Sequence, residues 1–341
     1  MFGKNESADS LLDAFYALGG NFIDTSNTYN SEDSERLIGA WMEKRGNRDQ
    51  MVVATKYSAG YKAYQRNEFP LQSNYTGNSA KSMHISVRDS LAKLKTDYID
   101  SLYVHWWDFA TSVEEIMTHL HAYVMAKQVL YLGVSDTPAW VAVKANAYAR
   151  SHGLTPFSVY QGRWNAAYRD MEAENIPMCE DQGMAIVSWA SLGGGQLISA
   201  EDGEKKLKDP EAHRGYGFGD VDVKVSTALE KVAESNKTTT QAVALAYLLH
   251  QSIYVFPIVG VQTVEHVKAL PEALRIELSR GDIEAIQNAA DYQPPFPMSF
   301  LFNWTGKEKY HVGLTPANVS QYQMAAWIQA PPKQNACEIL H

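Results

Sequence analysis

The sequence predicts an α/β fold in which parallel strands, each followed by a helix, close into a barrel. Three observations carry that expectation. Short continuous apolar runs alternate with segments whose apolar residues recur on one helical face, the pattern of a parallel sheet covered by helices. Side chains with chemistry to offer end nearly every run: Asp24, Lys56, His105, Ser135, Gln161 and Trp189. A doubly wound sheet would concentrate such residues near one switch point, whereas a barrel draws them from many strand ends. The chain is also long enough, at 341 residues, for a barrel that forms one unit.

In order, residues 7–18 form an amphipathic helix with Leu11, Leu12, Phe15 and Leu18 at helical spacing and Gly19-Gly20 as its stop. Asn21-Phe22-Ile23 is a short strand that delivers Asp24. Asn30 or Ser31 then caps a helix with Glu32, Asp33 and Glu35 in its first turn, Leu37, Ile38, Trp41 and Met42 as its buried face, and Gly46 at its end. The strand Met51–Lys56 leads into a polar loop, residues 57–78, of a length that in compact domains serves function. A helix with Met83, Val87, Leu91 and Leu94 on one face precedes the strand ending in His105. Helices near 112–126, 138–151 and 169–182 lead to strands at 129–135, 157–161 and 184–189. After a Gly-rich excursion, a helix at 239–250 leads to a strand at 254–259, and helices near 263–270 and 280–290 follow.

This series holds seven strands. The expectation is therefore a (β/α)8 TIM barrel over residues 1–291 with one strand missing from the count. Residues 292–341, with Trp304, Trp327 and several prolines, form a tail that either orders over the pocket or stays disordered.

Composition excludes several classes of function. The net charge is −9 without a basic run, which argues against nucleic acid or an anionic membrane as partner. Two cysteines, Cys179 and Cys337, without ligand spacing argue against a disulfide framework or structural zinc. His119 and His121 stand two apart on a helix, off a common face, and no metal is expected. With no apolar run of membrane length and no signal-peptide pattern, the expectation is a cytoplasmic protein; its oligomeric state is not legible.

Asp24, Tyr29, Lys56 and His105 carry the chemistry. Reducing a carbonyl requires a hydride donor and a proton for the developing alkoxide. A phenol ionises near pH 10, and an ammonium within hydrogen-bond reach lowers that value by about one to three pH units. Lys56 is placed to act so on Tyr29, Asp24 to orient Lys56, and His105 to donate to the substrate oxygen. Singly, these residues read as a buried ion pair, a strand-end tyrosine and a core histidine; as an ordered quartet they read as a site.

The quartet, followed by Gly133-Val134-Ser135-Asp136 and Gln161, resembles the aldo-keto reductase family over nearly the whole chain to about residue 290. The words Tyr-Val-His-Trp-Trp-Asp (103–108), Tyr-Leu-Gly-Val-Ser-Asp-Thr-Pro-Ala-Trp (131–140) and Pro-Phe-Ser-Val-Tyr-Gln-Gly (156–162) are similar to its fungal aryl-alcohol dehydrogenase and norsolorinic-acid-reductase-like branch. The resemblance implies an NAD(P)-dependent oxidoreductase with Tyr29 as acid/base, and a barrel that here lacks the N-terminal hairpin and the first barrel strand expected before the helix at 7–18. It places Ser135, Asp136 and Gln161 around the nicotinamide carboxamide, Trp189 on the ring, and Gly193, Gly194 and Gly195 at the pyrophosphate, although three glycines also suit a hinge. Gly260, Gln262 and His266 stand where relatives grip the adenosine 2′-phosphate with basic residues, so NADP is inherited from the family and NAD is the alternative. Trp106, Trp107 and Tyr57 are the expected walls of a pocket for an aromatic carbonyl or alcohol. The alternatives are a truncated, weakly active or inactive relative, and a cofactor-sensing regulatory protein.

Overall fold

The computed structural model describes residues 6–207, 219–251, 254–297 and 299. Among them lie seven strands: β1 Phe22–Asp24, β2 Val52–Tyr57, β3 Ile99–Val104, β4 Val129–Ser135, β5 Val159–Arg163, β6 Ala185–Trp189 and β7 Val255–Pro257. They form one sheet in the order β1-β2-β3-β4-β5-β6-β7. The paired strands from β1 to β5 run parallel, the strand arrangement of an α/β barrel. The chain divides into two compact units, Met1–Gly162 with Met178–Ile186 and Gly260–Ala269, and Arg163–Pro177 with Val187–Val259 and Leu270–His341.

In the first unit α1, Ala8–Ala17, is capped by the Ser7 side chain and buries Leu11 and Leu12. Helix α2, Asp33–Arg45, ends at Gly46 with φ of 61°, where glycine meets the left-handed conformation at no steric cost. Ile38, Trp41 and Met42 are buried as expected, but Leu37 is 39% exposed. The start of α2 also differs: neither Asn30 nor Ser31 caps it, and Glu32 occupies the cap position without a side-chain cap bond. Helices α3, Ala80–Leu94, and α4, Val113–Met125, are capped by Ser79 and Ser112, and α5 spans Ala139–Ser151. At Gly39 the backbones of α2 and α3 approach so closely that a Cβ would overlap the Lys93 carbonyl oxygen and lie 2.7 Å from Leu94 Cα. At Gly133 a Cβ would lie 2.6 Å from the Tyr103 ring.

The expected strand at 157–161 is shifted to 159–163, because Phe157 gives its amide to Asn146 Oδ1 at 2.8 Å rather than to a strand. The expected helix at 169–182 is broken into a 3-10 turn, Asp170–Glu172, and α6, Asn175–Gln182. Pro177 explains the break: proline is tolerated only in a first turn, so the helix restarts just before it.

In the second unit the described part of the Gly-rich excursion is largely helical: α7 Ala200–Leu207 and α8 Asp220–Asn236 precede α9 Thr240–Leu249. Helix α8 buries Val225, Leu229 and Val232, a helical period diluted by charged residues. Helix α10, Val264–Ala269, belongs to the first unit, and α11, Arg280–Gln287, to the second. No helix among the described residues is long and apolar enough to cross a membrane. The tail past residue 299 lies outside the described residues.

Candidate active site

Register places the site. Asp24 pairs with Ala54, and the ladder continues past β1 through Thr25 N–H to the Ala54 carbonyl (2.8 Å) and Asn27 N–H to the Lys56 carbonyl (3.1 Å). Lys56, fully buried, donates through Nζ to Asp24 Oδ2 at 2.6 Å and to the Thr25 carbonyl at 2.8 Å. Asp24 is equally committed: Gln161 Nε2 donates to its Oδ1 at 2.8 Å. A buried ion pair with a hydrogen bond to each carboxylate oxygen is a fixed object, since removing either member strands a charge.

Tyr29 lies beside this pair, its ring centroid 5.2 Å from Lys56 Nζ and 5.8 Å from the His105 ring in an edge-on contact. The four catalytic candidates are thus brought together within the first unit. One expectation is overturned. Tyr29 has its pKa raised above the ordinary 10, because burial outweighs the charge and hydrogen bond of Lys56, with Asp24 adding a push upward. The sequence showed the ammonium but not how much water the fold removes from the phenol.

Burial and the Lys56 charge push His105 down from 6.5 to about 3, so the imidazole is neutral through the physiological range. Ser26 Oγ lies 3.3 Å from its Nδ1. The unfolded chain protonates this residue below pH 6.5 while the folded chain does not. Its contribution to stability is therefore complete above pH 6.5 and lost as pH falls toward 3, with a slope of up to about 1.4 kcal/mol per pH unit. Urea unfolding between pH 4 and 7 is expected to show a shallower acid dependence in His105→Gln than in wild type; identical slopes would contradict the assignment.

Ser135 and Gln161 are register partners on β4 and β5, and both are buried. Asp136 leaves β4 with φ of 40°, and its amide donates to the Gln161 carbonyl at 3.1 Å. Of the aromatic walls, Tyr57 is 1% and Trp107 is 9% exposed, so both are packing. Trp106 is 40% exposed with its ring 4.8 Å from that of His105, which leaves it as the candidate for a wall. Gly260, Gln262 and His266 are exposed. Next to them the Val264 amide, at the start of α10, donates to the Glu6 carboxylate at 2.8 Å, so an acid of the chain itself sits there.

In the second unit Trp189 is partly buried, with the Arg163 guanidinium 5.8 Å from its ring centroid. Gly193, Gly194 and Gly195 all adopt positive φ, 64°, 68° and 87°. Two of their amides are used within the loop, Gly193 donating to Ala190 and Gly195 to Leu192. Among the described residues no cluster of three or more His, Cys, Asp or Glu side chains could hold a metal.

Sequence reasoning missed the support around the quartet. Thr25 Oγ1 and Ser34 Oγ are 2.7 Å apart, Thr55 donates to Glu35 Oε1 at 2.6 Å, and the Glu32 carboxylate accepts from Lys62 and Tyr64. The available signal was a run of small polar and acidic residues flanking Tyr29 in a segment without helical or strand period.

The chain matches the model of the aldo/keto reductase family over residues 2–291. It is 52% identical over 300 residues to an aryl-alcohol dehydrogenase [NADP(+)] of Phanerodontia chrysosporium, covering 86% of this chain and 78% of that protein. It is 46% identical over 344 residues to a norsolorinic acid reductase of Aspergillus flavus, covering 99% and 86%, and 49% identical over 299 residues to norsolorinic acid reductase B of Dothistroma septosporum, covering 87% and 76%. With a parallel sheet in sequential order and a family match across most of its length, this chain belongs to the aldo/keto reductase family of oxidoreductases.

Proposed function

We propose that the chain interconverts aryl or polyketide aldehydes and ketones with their alcohols, with NADP as cofactor, NAD as the alternative, and Tyr29 as acid/base. The observation that carries this is the assembly of Tyr29 between the Lys56 ammonium, 5.2 Å from its ring centroid, and the neutral His105 imidazole. A nicotinamide cofactor supplies the hydride in reduction and accepts it in oxidation. The residues fit its carboxamide: Ser135 brings a hydroxyl, and Gln161 keeps a carbonyl oxygen while its Nε2 is given to Asp24. For Trp189 and Gly193–Gly195 the support is their order along the chain and the left-handed backbone of the glycines.

In reduction the Tyr29 hydroxyl delivers its proton to the carbonyl oxygen as negative charge develops there, and the Lys56 charge steadies the phenolate left behind. His105 donates to the same oxygen and holds it near Tyr29. Trp106 offers a flat face beside His105, which suits a planar aromatic substrate. The raised pKa of Tyr29 keeps the phenol protonated at neutral pH, so reduction is ready there and alcohol oxidation gains as pH rises.

The relative named for NADP(+) and the resemblance support NADP. The exposed Gln262 and the Glu6 carboxylate beside it provide no charge-assisted grip on a 2′-phosphate. Titration with NADPH and NADH, followed by quenching of tryptophan fluorescence, is expected to show binding of both with a preference below about tenfold, and turnover of aryl aldehydes. A folded protein that binds neither would sink this reading.

A further inference from the structure

Three consecutive non-glycine residues directly after Tyr29 have left-handed backbone: Asn30 at φ 50°, Ser31 at 53° and Glu32 at 75°. Such a run is strained for residues that carry a Cβ, and it enters α2 without a side-chain cap. Something must hold it. The Glu32 side chain is 1% exposed, and its carboxylate accepts from Lys62 Nζ at 2.7 Å, Tyr64 Oη at 2.7 Å and Lys93 Nζ at 3.1 Å. Burial pushes its pKa up, but the bonds from Lys62 and Tyr64 and the charge of Lys93 outweigh this and hold the carboxyl below its ordinary range.

The same network reaches the other side of Tyr29. Lys93 Nζ also donates to the Asn27 carbonyl at 3.4 Å and pairs with Glu35 at 2.7 Å. Glu35 in turn takes the hydroxyl of Thr55, the neighbour of Lys56. Lys62 and Tyr64 lie in the long loop that leaves β2. The segment 27–32 is therefore held at both ends by one set of buried charges, with the phenol between them.

We propose that Glu32 is a positioning residue for the reaction: its carboxylate holds the left-handed turn Asn30–Glu32 that presents the Tyr29 hydroxyl to the substrate oxygen. This rests on Tyr29 as acid/base and deepens that reading. Alignment of a proton donor is sensitive to displacements of about 1 Å, which cost on the order of a hundredfold in rate even when they start away from the chemistry. The strain in the turn supplies a selective test, because glycine adopts positive φ without penalty.

Glu32→Gln keeps the size and one acceptor but removes the charge. It is expected to lower kcat by about ten- to one-hundredfold with KM changed by less than about threefold, and to speed amide hydrogen exchange over Asn27–Ser34. Ser31→Gly alone should leave kcat unchanged. Combined with Glu32→Gln, it should return kcat to within about threefold of wild type and restore protection over Asn27–Ser34. A role confined to the charge of the carboxylate would show no such recovery.

Unchanged kcat in Glu32→Gln would overturn the proposal, and so would a loss that Ser31→Gly fails to repair. Should Glu32→Gln alone not fold, the double variant decides: folded and active supports the role, unfolded or inactive refutes it. If the wild-type chain is silent with every aldehyde and both cofactors, the reductase reading fails, yet exchange over Asn27–Ser34 still reports whether Glu32 holds the turn.

Discussion

Tyr29→Phe is expected to abolish reduction of aryl aldehydes almost completely, lowering kcat by about 10²- to 10⁴-fold, the usual contribution of a positioned acid. The substitution is a clean one. The ring stays, and with it the edge-on contact to His105 at 5.8 Å and the position 5.2 Å from Lys56 Nζ; what is lost is the hydroxyl, with its transferable proton and its hydrogen bond with Lys56. Cofactor affinity should therefore hold within about twofold, since only an interaction made in the transition state has gone. Stopped-flow or steady-state rates with NADPH, paired with fluorescence titration, separate the two quantities. Retention of more than about a tenth of the wild-type rate would move the acid role to another group, His105 first. In wild type, the raised pKa of Tyr29 predicts that reduction persists well into alkaline pH, and that alcohol oxidation, which needs the phenolate, strengthens there.

Lys56→Met should damage both rate and stability. The ammonium is fully buried, and among the described residues the Gln161 amide is the other hydrogen-bond donor to Asp24, so its removal leaves a buried carboxylate short of a partner. Breaking such a pair costs about 3–5 kcal/mol, to be read as a lower urea midpoint at unchanged slope. The rate is expected to fall by at least about a hundredfold because the phenolate loses its counter-charge. Adding Asp24→Asn to Lys56→Met removes the stranded charge, so stability should largely return while activity does not. If the single and double variants unfolded at the same denaturant concentration, the ion pair would not be the structural unit described.

The alternation of strands and helices was legible because each strand is a short apolar run and most helices carry their own cap, as Ser7, Ser79 and Ser112 show. The convergence of Asp24, Tyr29, Lys56 and His105 was legible because strand ends are where a parallel sheet exposes chemistry. Properties that depend on distant partners were not. Glu32 reads locally as a first-turn acid, and only the fold brings Lys62 and Lys93 to it. Tyr57 and Trp107 follow polar strand ends and so looked like pocket walls, yet neighbouring elements bury them. The Tyr29 pKa turned on desolvation, which no residue type announces. Helix α8 was hidden because its exposed faces carry enough charge to blur the period of Val225, Leu229 and Val232.

The close approach at Gly39 has a consequence for how variation in this chain would be tolerated. A side chain there would overlap the Lys93 carbonyl, and the Lys93 ammonium is the group that reaches Asn27, Glu32 and Glu35. Pushing α3 outward would lengthen those bonds on both flanks of Tyr29. A substitution at position 39, where α2 meets α3, would therefore surface in a mutational screen beside substitutions at Tyr29 and Glu32. The spacing of two helices is in this sense a setting of where the Tyr29 segment sits, and it is inherited through the smallest residue in the chain.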